Sequence, residues 1–96
     1  MDLDIKGLRV LVTAGASGIG RATARAFAAE GASVHICDVD RDALAAMAQS
    51  DPAITRSVCD VSDRTAVARL FEEALAVLGG LDCLVNNAGV AGPTGR

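Results

Sequence analysis

Short apolar runs alternate along the chain with longer segments in which apolar residues recur three and four positions apart. Four runs are short and rich in β-branched and other apolar residues, and they comprise residues 9–14, 33–37, 54–59 and 83–86. Three longer segments show helical spacing, and they comprise residues 19–30, 41–49 and 63–78. The first pattern is typical of buried strands and the second of amphipathic helices, so the predicted order is βαβαβαβ.

Residues that end helices support this order. Gly31 follows the first predicted helix, Pro52 follows the second and Gly79-Gly80 follows the third. Ser62 stands where an N-cap residue belongs, so it is predicted to cap the third helix. Strands that alternate with helices predict an α/β fold with a parallel sheet and right-handed crossovers. The sequence contains no visible internal repeat or interdomain linker.

The composition is that of one small soluble domain. The chain has 96 residues, a formal net charge of −3 and 51% hydrophobic residues. Its acidic balance and the lack of a basic run argue against nucleic acid or an anionic membrane as a partner. The uncharged stretches at residues 10–20 and 83–95 are both too short to span a bilayer, and the acidic N-terminus does not resemble a signal peptide. We therefore expect a cytoplasmic protein.

Residues that could bind metals or act as nucleophiles are few. The three cysteines are widely spaced: Cys37, Cys59 and Cys83. This spacing predicts small buried side chains in a reducing compartment, with a reactive thiol as the alternative. The only histidine, His35, falls inside the second strand and is predicted to be packed there, so we expect no metal site and no nucleophile–histidine pair. Glu72 and Glu73 are predicted to lie beside Arg69 on a solvated helix face.

A glycine cluster lies where the first strand turns into the first helix. It comprises Thr13, Ala14, Gly15, Ala16, Ser17, Gly18, Ile19 and Gly20. Free backbone N–H groups and the positive end of a helix can hold nucleotide phosphates at such a turn, which glycine allows to approach closely. A P-loop would need Lys and then Ser or Thr where this chain has Arg21 and Ala22, so that interpretation fails. A tight turn without a ligand is the remaining alternative.

An acidic residue ends the second strand. In a dinucleotide-binding fold, a carboxylate at the position of Asp38 accepts hydrogen bonds from the ribose hydroxyls of adenosine. The same carboxylate repels a 2′-phosphate, so Asp38 favours NAD over NADP. The alternative role for Asp38 is to cap the next helix, and Asp40 can serve that role instead.

These residues resemble the short-chain dehydrogenase/reductase family. The first motif of that family is TGxxxGxG, and three residues match it: Thr13, Gly18 and Gly20. Ala14 stands where the family usually has glycine, and Gly15 follows one place later. Members that prefer NADP often carry a basic residue where this chain has Ser17. Together with Asp38 and the apolar Val39, Ser17 resembles the pattern of members that prefer NAD.

Two later segments fit the same family. Asp60-Val61 follows the third strand and resembles the pair that lines the adenine pocket, with a simple strand-end turn as the alternative. Residues 86–89 match the NNAG segment, in which Asn86 helps to fix the central sheet and the next three residues pass beside the cofactor. The resemblance therefore implies a set of cofactor-binding residues, namely Thr13, Gly15, Ser17, Gly18, Ile19, Gly20, Asp38, Val39, Asp60, Val61, Asn87, Ala88 and Gly89.

The resemblance implies a Rossmann-type parallel sheet in which residues 1–96 form the amino-terminal, NAD(P)-binding half of a doubly wound domain. Family members transfer a hydride between nicotinamide and a small alcohol or ketone, using a Tyr, a Lys four residues later and a Ser. This sequence has no Tyr, and its single lysine is Lys6. We therefore assign no catalytic residue. We expect the chain alone to be inactive, as a cleaved or truncated part of a homo-oligomeric enzyme, with the remainder of that enzyme or a companion chain as partner.

Two other interpretations remain open. The chain could be a non-catalytic nucleotide-binding or interaction module that pairs with a second chain through an exposed sheet edge. It could also be a decayed gene product, which should aggregate when expressed alone. The interpretation as an enzyme predicts a further segment that contains Ser, Tyr and Lys. The interpretation as a module predicts a stable protein whose association with another chain depends on NAD.

Overall fold

The computed structural model describes residues 5–87, which form four strands and three helices. In chain order these elements are β1 (Arg9–Thr13), α1 (Gly18–Ala29), β2 (Ser33–Asp38), α2 (Arg41–Ser50), β3 (Thr55–Val58), α3 (Arg64–Leu78) and β4 (Cys83–Asn86). The predicted order is confirmed, and each predicted end lies within one residue of the observed end. None of the helices in this part of the chain is long and apolar enough to cross a membrane.

The described strands form one parallel sheet in the order β3-β2-β1-β4. In β1, Leu11 lies opposite His35 of β2 on one side and opposite Leu84 of β4 on the other. After β3 the chain crosses over the sheet and returns beside β1, which reverses the direction in which strands are added. The fold is therefore α/β and Rossmann-type, and it forms part of a doubly wound sheet, as predicted.

Helices cover both faces of this sheet. Alternate residues of β1 point to opposite faces, so Val10 and Val12 pack towards α1 and α2, whereas Leu11 packs towards α3. The core on the α1 and α2 side consists of Val10, Val12, Ala16, Ala24, Val34, Ile36, Leu44, Met47 and Ile54. The core on the α3 side consists of Leu11, Cys37, Cys59, Leu70 and Ala74. Burial on both faces explains why the centre of β1, Val10-Leu11-Val12, is a run of apolar residues instead of alternating with polar ones.

The start of α3 differs from the prediction. Ser62 does not cap this helix, because its N–H and its hydroxyl both donate to Oδ1 of Asp60, at 2.9 and 2.6 Å. Asp63 is the N-cap residue, and its carboxylate accepts the N–H groups of Thr65 and Ala66. The other end follows the prediction, since Gly79 closes the helix with a φ of 80°.

Candidate functional site

The turn between β1 and α1 is attached to the end of β2. The Gly15 N–H donates to the carbonyl oxygen of Cys37 at 3.0 Å, and the Ala16 N–H donates to Oδ2 of Asp38 at 3.1 Å. These segments meet because β1 and β2 are parallel neighbours, so their carboxyl ends share one edge of the sheet. The glycine cluster and Asp38 therefore form one continuous surface.

Two glycines in this turn have no room for a side chain. A Cβ atom on Gly20 would lie 1.9 Å from the carbonyl oxygen of Ala14, and a Cβ atom on Gly15 would lie 2.6 Å from Cβ of Ile36. The first contact joins helix α1 to the end of β1, and the second joins the turn to β2. Both residues therefore allow strands and helix to approach more closely than any side chain would permit.

Two other residues of the turn have a positive φ. Gly18 has a φ of 58° and open space where a Cβ would be, so its role is conformational and it leaves the surface above the turn free. Ala14 has a φ of 53°, and it is the only non-glycine residue within residues 5–87 with a positive φ. The position at which this sequence departs from the glycine of the motif is thus one where an L side chain is strained.

The amino end of α1 is exposed. Ser17 is the N-cap residue, but its hydroxyl accepts no hydrogen bond from the helix N–H groups. Ser17, Gly18 and Ile19 are all exposed, Ile19 to 79%. An exposed helix start with no side-chain cap presents N–H donors and partial positive charge, which is an arrangement that binds phosphate groups.

The carboxylate of Asp38 organises the junction of this turn with β2. Its Oδ2 accepts the Ala16 N–H, and its Oδ1 accepts the Asp40 N–H at 3.1 Å. Asp40, rather than Asp38, caps α2, because its Oδ1 accepts the Ala43 N–H at 3.0 Å. The predicted division of roles between these two acids is confirmed as far as the cap is concerned.

A cavity of about 190 Å³ lies between the ends of β2 and β3. It is lined by Ala14, Cys37, Asp38, Val39, Cys59, Asp60 and Val61. Four residues that the sequence selected are thus brought together from two adjacent strand ends, and they are Asp38, Val39, Asp60 and Val61. Their side chains combine apolar walls with carboxylates, and this combination suits a flat base attached to a hydroxylated sugar.

Asp60 also organises the turn that follows β3. Its hydrogen bonds from Ser62 hold the pKa of the Asp60 carboxyl below its ordinary value. The strand-end turn considered for this residue is therefore present. Asp60 forms that turn and lines the cavity at the same time.

The end of β4 carries two asparagines with different surroundings. The Thr13 hydroxyl lies 3.0 Å from Oδ1 of Asn86 and joins β1 to β4, which agrees with the sheet-fixing role expected for Asn86. Nδ2 of Asn87 is buried and finds no hydrogen-bond acceptor within the described residues. A buried donor without a partner is costly unless something else accepts from it. Ala88 and Gly89 lie outside the described residues.

The sequence did not indicate that two cysteines line the cavity. The thiols of Cys37 and Cys59 are both buried. Burial raises the pKa of Cys37 to about 11 and raises that of Cys59, so both thiols are neutral near pH 7. Their position in the sequence could have indicated this, since each cysteine immediately precedes one of the two acidic residues of the cavity. Burial of these two cysteines agrees with the prediction.

His35 is packed inside the sheet, as predicted, but it is not isolated. Its Nδ1 lies 2.6 Å from Oγ1 of Thr55 and its Nε2 lies 2.7 Å from Oγ of Ser57. The Ser57 hydroxyl in turn donates to Oε1 of Glu73 on α3. Because the Ser57 hydroxyl donates to Glu73 and not to the imidazole, this contact is not a nucleophile–histidine pair. Glu73 is exposed, as expected for a solvated helix face, and its carboxylate also reaches Ser57 on β3.

The remaining surface offers less chemistry. A groove of about 260 Å³ between α2 and β3 contains none of the predicted cofactor-binding residues, and it is lined by Arg41, Leu44, Ala45, Ala48, Arg56, Ser57 and Val58. Among residues 5–87, no group of three or more metal-binding side chains is positioned to hold an ion.

The parallel sheet, the close-packed glycine turn and the cavity at the carboxyl edge define a Rossmann-type α/β protein. The family model for short chain dehydrogenases matches residues 8–96. The chain belongs to this family of oxidoreductases, which bind nicotinamide dinucleotides, and the resemblance seen in the sequence is confirmed.

Several named relatives are similar to the chain. It is 42% identical over 90 residues to 1-deoxy-11-beta-hydroxypentalenate dehydrogenase of Streptomyces exfoliatus, covering 90% of this chain and 33% of the relative. It is 41% identical over 88 residues to 2-dehydro-3-deoxy-L-rhamnonate dehydrogenase (NAD(+)) of a Sphingomonas species, covering 92% and 35%. The chain thus spans about a third of the length of these curated relatives.

A solved structure supports the same assignment. A short chain dehydrogenase from Bacillus anthracis superposes with a TM-score of 0.80 at 28% sequence identity. The match covers 88% of this chain and 36% of that enzyme.

Proposed function

We propose that residues 1–96 form the dinucleotide-binding portion of an NAD-dependent oxidoreductase that transfers a hydride between nicotinamide and a small alcohol or ketone. The observation that carries the proposal is the position of Asp38, which joins the glycine turn to the cavity at the end of β2. A carboxylate at this junction can bind the ribose between a phosphate site and a base site.

The residues present fit such a cofactor in three places. The exposed start of α1, at Ser17, Gly18 and Ile19, can hold the pyrophosphate through backbone N–H groups. The cavity at the ends of β2 and β3 can hold the adenine. The buried Nδ2 of Asn87, which lacks an acceptor within the described residues, can donate to the cofactor. Ala88 and Gly89, which the resemblance also assigns to cofactor binding, lie outside the described residues. When bound, the nicotinamide supplies the hydride acceptor or donor.

The preference for NAD follows from charge. The 2′-phosphate of NADP would bring a negative group towards the Asp38 carboxylate, and Ser17 provides no positive charge in compensation. The Sphingomonas relative, which is 41% identical to this chain, carries NAD(+) in its name. Both points favour NAD as the cofactor.

Calorimetry with NAD and NADP tests this preference. We expect the unmodified protein to bind NAD more tightly, and we expect Asp38→Asn, which keeps the shape and one acceptor oxygen, to lower the ratio of the two affinities by about tenfold. Asp42→Asn is the matched control, because Asp42 is exposed in the first turn of α2 and does not line the cavity. Equal losses for both nucleotides in Asp38→Asn would count against the ribose role.

Turnover is expected to need a segment other than this one. The sequence lacks a Tyr to act as general acid or base, and Lys6 precedes the first strand. We therefore expect this chain neither to consume NADH with a ketone nor to produce NADH from NAD with an alcohol, and we expect activity only in a whole, homo-oligomeric enzyme or with a companion chain. Steady oxidation of NADH by the purified chain contradicts this expectation.

An interaction module is the second candidate. Within the described sheet, β4 pairs only with β1, and Leu84 on β4 is 47% exposed. An open strand edge beside an exposed leucine can accept another chain. This candidate predicts association that depends on NAD, which light scattering with and without NAD would detect.

A further inference from the structure

A chain of polar side chains crosses the interface between the sheet and α3. Four residues make up this chain, which we call the His35 clamp: Thr55, His35, Ser57 and Glu73. His35 is 1% exposed and Ser57 is 9% exposed, whereas Glu73 is exposed to solvent. The clamp thus connects a buried imidazole to the solvent through one hydroxyl.

The clamp holds the strand that carries half of the cavity. In the described sheet β3 is an edge strand, and it pairs only with β2. Both ring nitrogens of His35 contact β3, one at Thr55 and the other at Ser57, so a single side chain fixes two positions of that strand. The cavity residues Asp60 and Val61 lie two and three positions after the end of β3. The imidazole therefore contributes to the position of these two residues relative to β2.

The hydrogen-bond directions favour a neutral imidazole. Because the Ser57 hydroxyl donates to Glu73, its oxygen is free to accept from Nε2–H of His35. Nδ1 is then an acceptor, and the Thr55 hydroxyl donates to it at 2.6 Å. Adding a proton to Nδ1 forces this hydroxyl to turn towards the carbonyl oxygen of Val34, at 3.3 Å, which is a longer and weaker bond.

The surroundings of the ring also favour the neutral form. Burial lowers the pKa of His35 below its ordinary value, and this effect outweighs the opposing influence of the Glu73 carboxylate on α3. Arg56 on β3 lowers the pKa further. The neighbour on β1 is the apolar Leu11, and Cys37 on the same strand remains neutral, since its own pKa is about 11.

We propose that His35 is a proton-linked positioning residue for the adenosine side of the site, whose neutral imidazole holds β3 against β2 and whose protonation weakens dinucleotide binding. This inference rests on the proposed function. A histidine released from the clamp takes up a proton near its ordinary pKa of about 6.5, whereas the clamped histidine does so only at lower pH. At a pH between the pKa of the clamped imidazole and that of the released imidazole, the released state binds more protons. Lowering the pH therefore favours release of His35, and a ligand that needs the clamp loses affinity.

Two readouts test the proposal on the full chain. Because His35 is the only histidine, its ring protons give a single set of resonances whose pH titration can be followed by NMR. Calorimetry with NAD at pH 7.5 and pH 5.5, at constant ionic strength, measures the effect on binding. We expect the imidazole to titrate below its ordinary range, and we expect the dissociation constant to rise by about threefold or more at the lower pH.

Three variants separate a proton-linked role from a merely structural one. His35→Gln retains an amide donor for Ser57 but cannot be protonated, so its NAD affinity should be independent of pH over this range. Glu73→Gln removes the charge that favours protonation, so the NMR titration of His35 should move to still lower pH. Glu72→Gln is the matched control, since this neighbour on α3 is exposed and outside the clamp, and its titration should equal that of the unmodified protein.

The possible outcomes are distinct. An imidazole that titrates in the ordinary range, or a Glu73→Gln protein that behaves like Glu72→Gln, overturns the clamp whether or not NAD binds. The same acid-induced loss of affinity in His35→Gln and in the unmodified protein overturns the link to binding. Failure to bind NAD at pH 7.5 removes the proposed function, and in that case the link to binding falls with it, while the NMR comparison of the two glutamate variants still decides the clamp.

Discussion

Replacing Ala14 by glycine should stabilise the protein. Ala14 has a φ of 53°, a conformation that costs an L residue roughly 1–2 kcal/mol and costs glycine almost nothing. Glycine also gains freedom in the unfolded chain, which offsets about 0.4–1 kcal/mol of that benefit. The net expectation is a gain of about 0.5–1 kcal/mol in the free energy of unfolding, or a rise in Tm of about 2–8 °C for a chain of this size.

Urea and thermal unfolding, followed by far-ultraviolet circular dichroism, measure this change. Ala16→Gly is the matched control in the same turn, because Ala16 has no positive φ and is 2% exposed in the core. The Ala16→Gly variant should have a free energy of unfolding about 1 kcal/mol lower, because its unfolded chain has more freedom and the core loses a methyl contact. If Ala14→Gly is as stable as the unmodified protein, or less stable, the argument from backbone strain is wrong.

Three further predictions concern stability. Gly20→Ala should lower the free energy of unfolding by about 3 kcal/mol or more, since its methyl group would lie 1.9 Å from a carbonyl oxygen. A variant that keeps its native secondary structure and an unchanged Tm would contradict this prediction. Asp63→Ala removes the N-cap of α3 and should lower the free energy of unfolding, measured in urea, by about 1 kcal/mol. Ser62→Ala should lower it by less, because Ser62 does not cap the helix. The Arg9 guanidinium lowers the pKa of Asp82 to about 2, so the stabilisation from this pair is present above about pH 4 and is lost as the pH falls through 2. When the free energy of unfolding is measured as the pH is lowered from 4 to 2, Asp82→Asn should lack the loss that comes from the Arg9–Asp82 pair. The same loss in Asp82→Asn and in the unmodified protein would refute this role for the pair.

The order of elements and the convergence of the cavity residues follow from the sequence by simple rules. Short apolar runs locate the strands and a period of 3.6 locates the helices, and parallel topology then brings Asp38 and Asp60 to the same edge. The choice between Ser62 and Asp63 as cap could not be predicted in this way. Both are good capping residues, and the outcome depends on the bonds that Ser62 makes with Asp60.

The His35 clamp could not be predicted from the local sequence pattern alone, although polar residues inside the predicted strands point to it. His35, Thr55 and Ser57 are polar residues within predicted strands, and the last two are two positions apart, so they share one face of β3. Their pairing requires the register between β2 and β3, and the contact with Glu73 requires the rotation of α3 about its axis. The apolar stripe of α3 indicates which face of the helix turns to the core, but apolar spacing does not give the register between β2 and β3.

The three helices begin in different ways, and the difference bears on function. The carboxylates of Asp40 and Asp63 each accept N–H groups at the starts of α2 and α3, so those ends are satisfied by the chain itself. Ser17 accepts none at the start of α1, although serine is as good a capping residue as aspartate. The same edge of the sheet also carries the strained Ala14 and the buried Nδ2 of Asn87, which finds no acceptor within residues 5–87. Local costs gathered at one edge, while the other helix starts are satisfied, support the proposal that this edge binds a ligand.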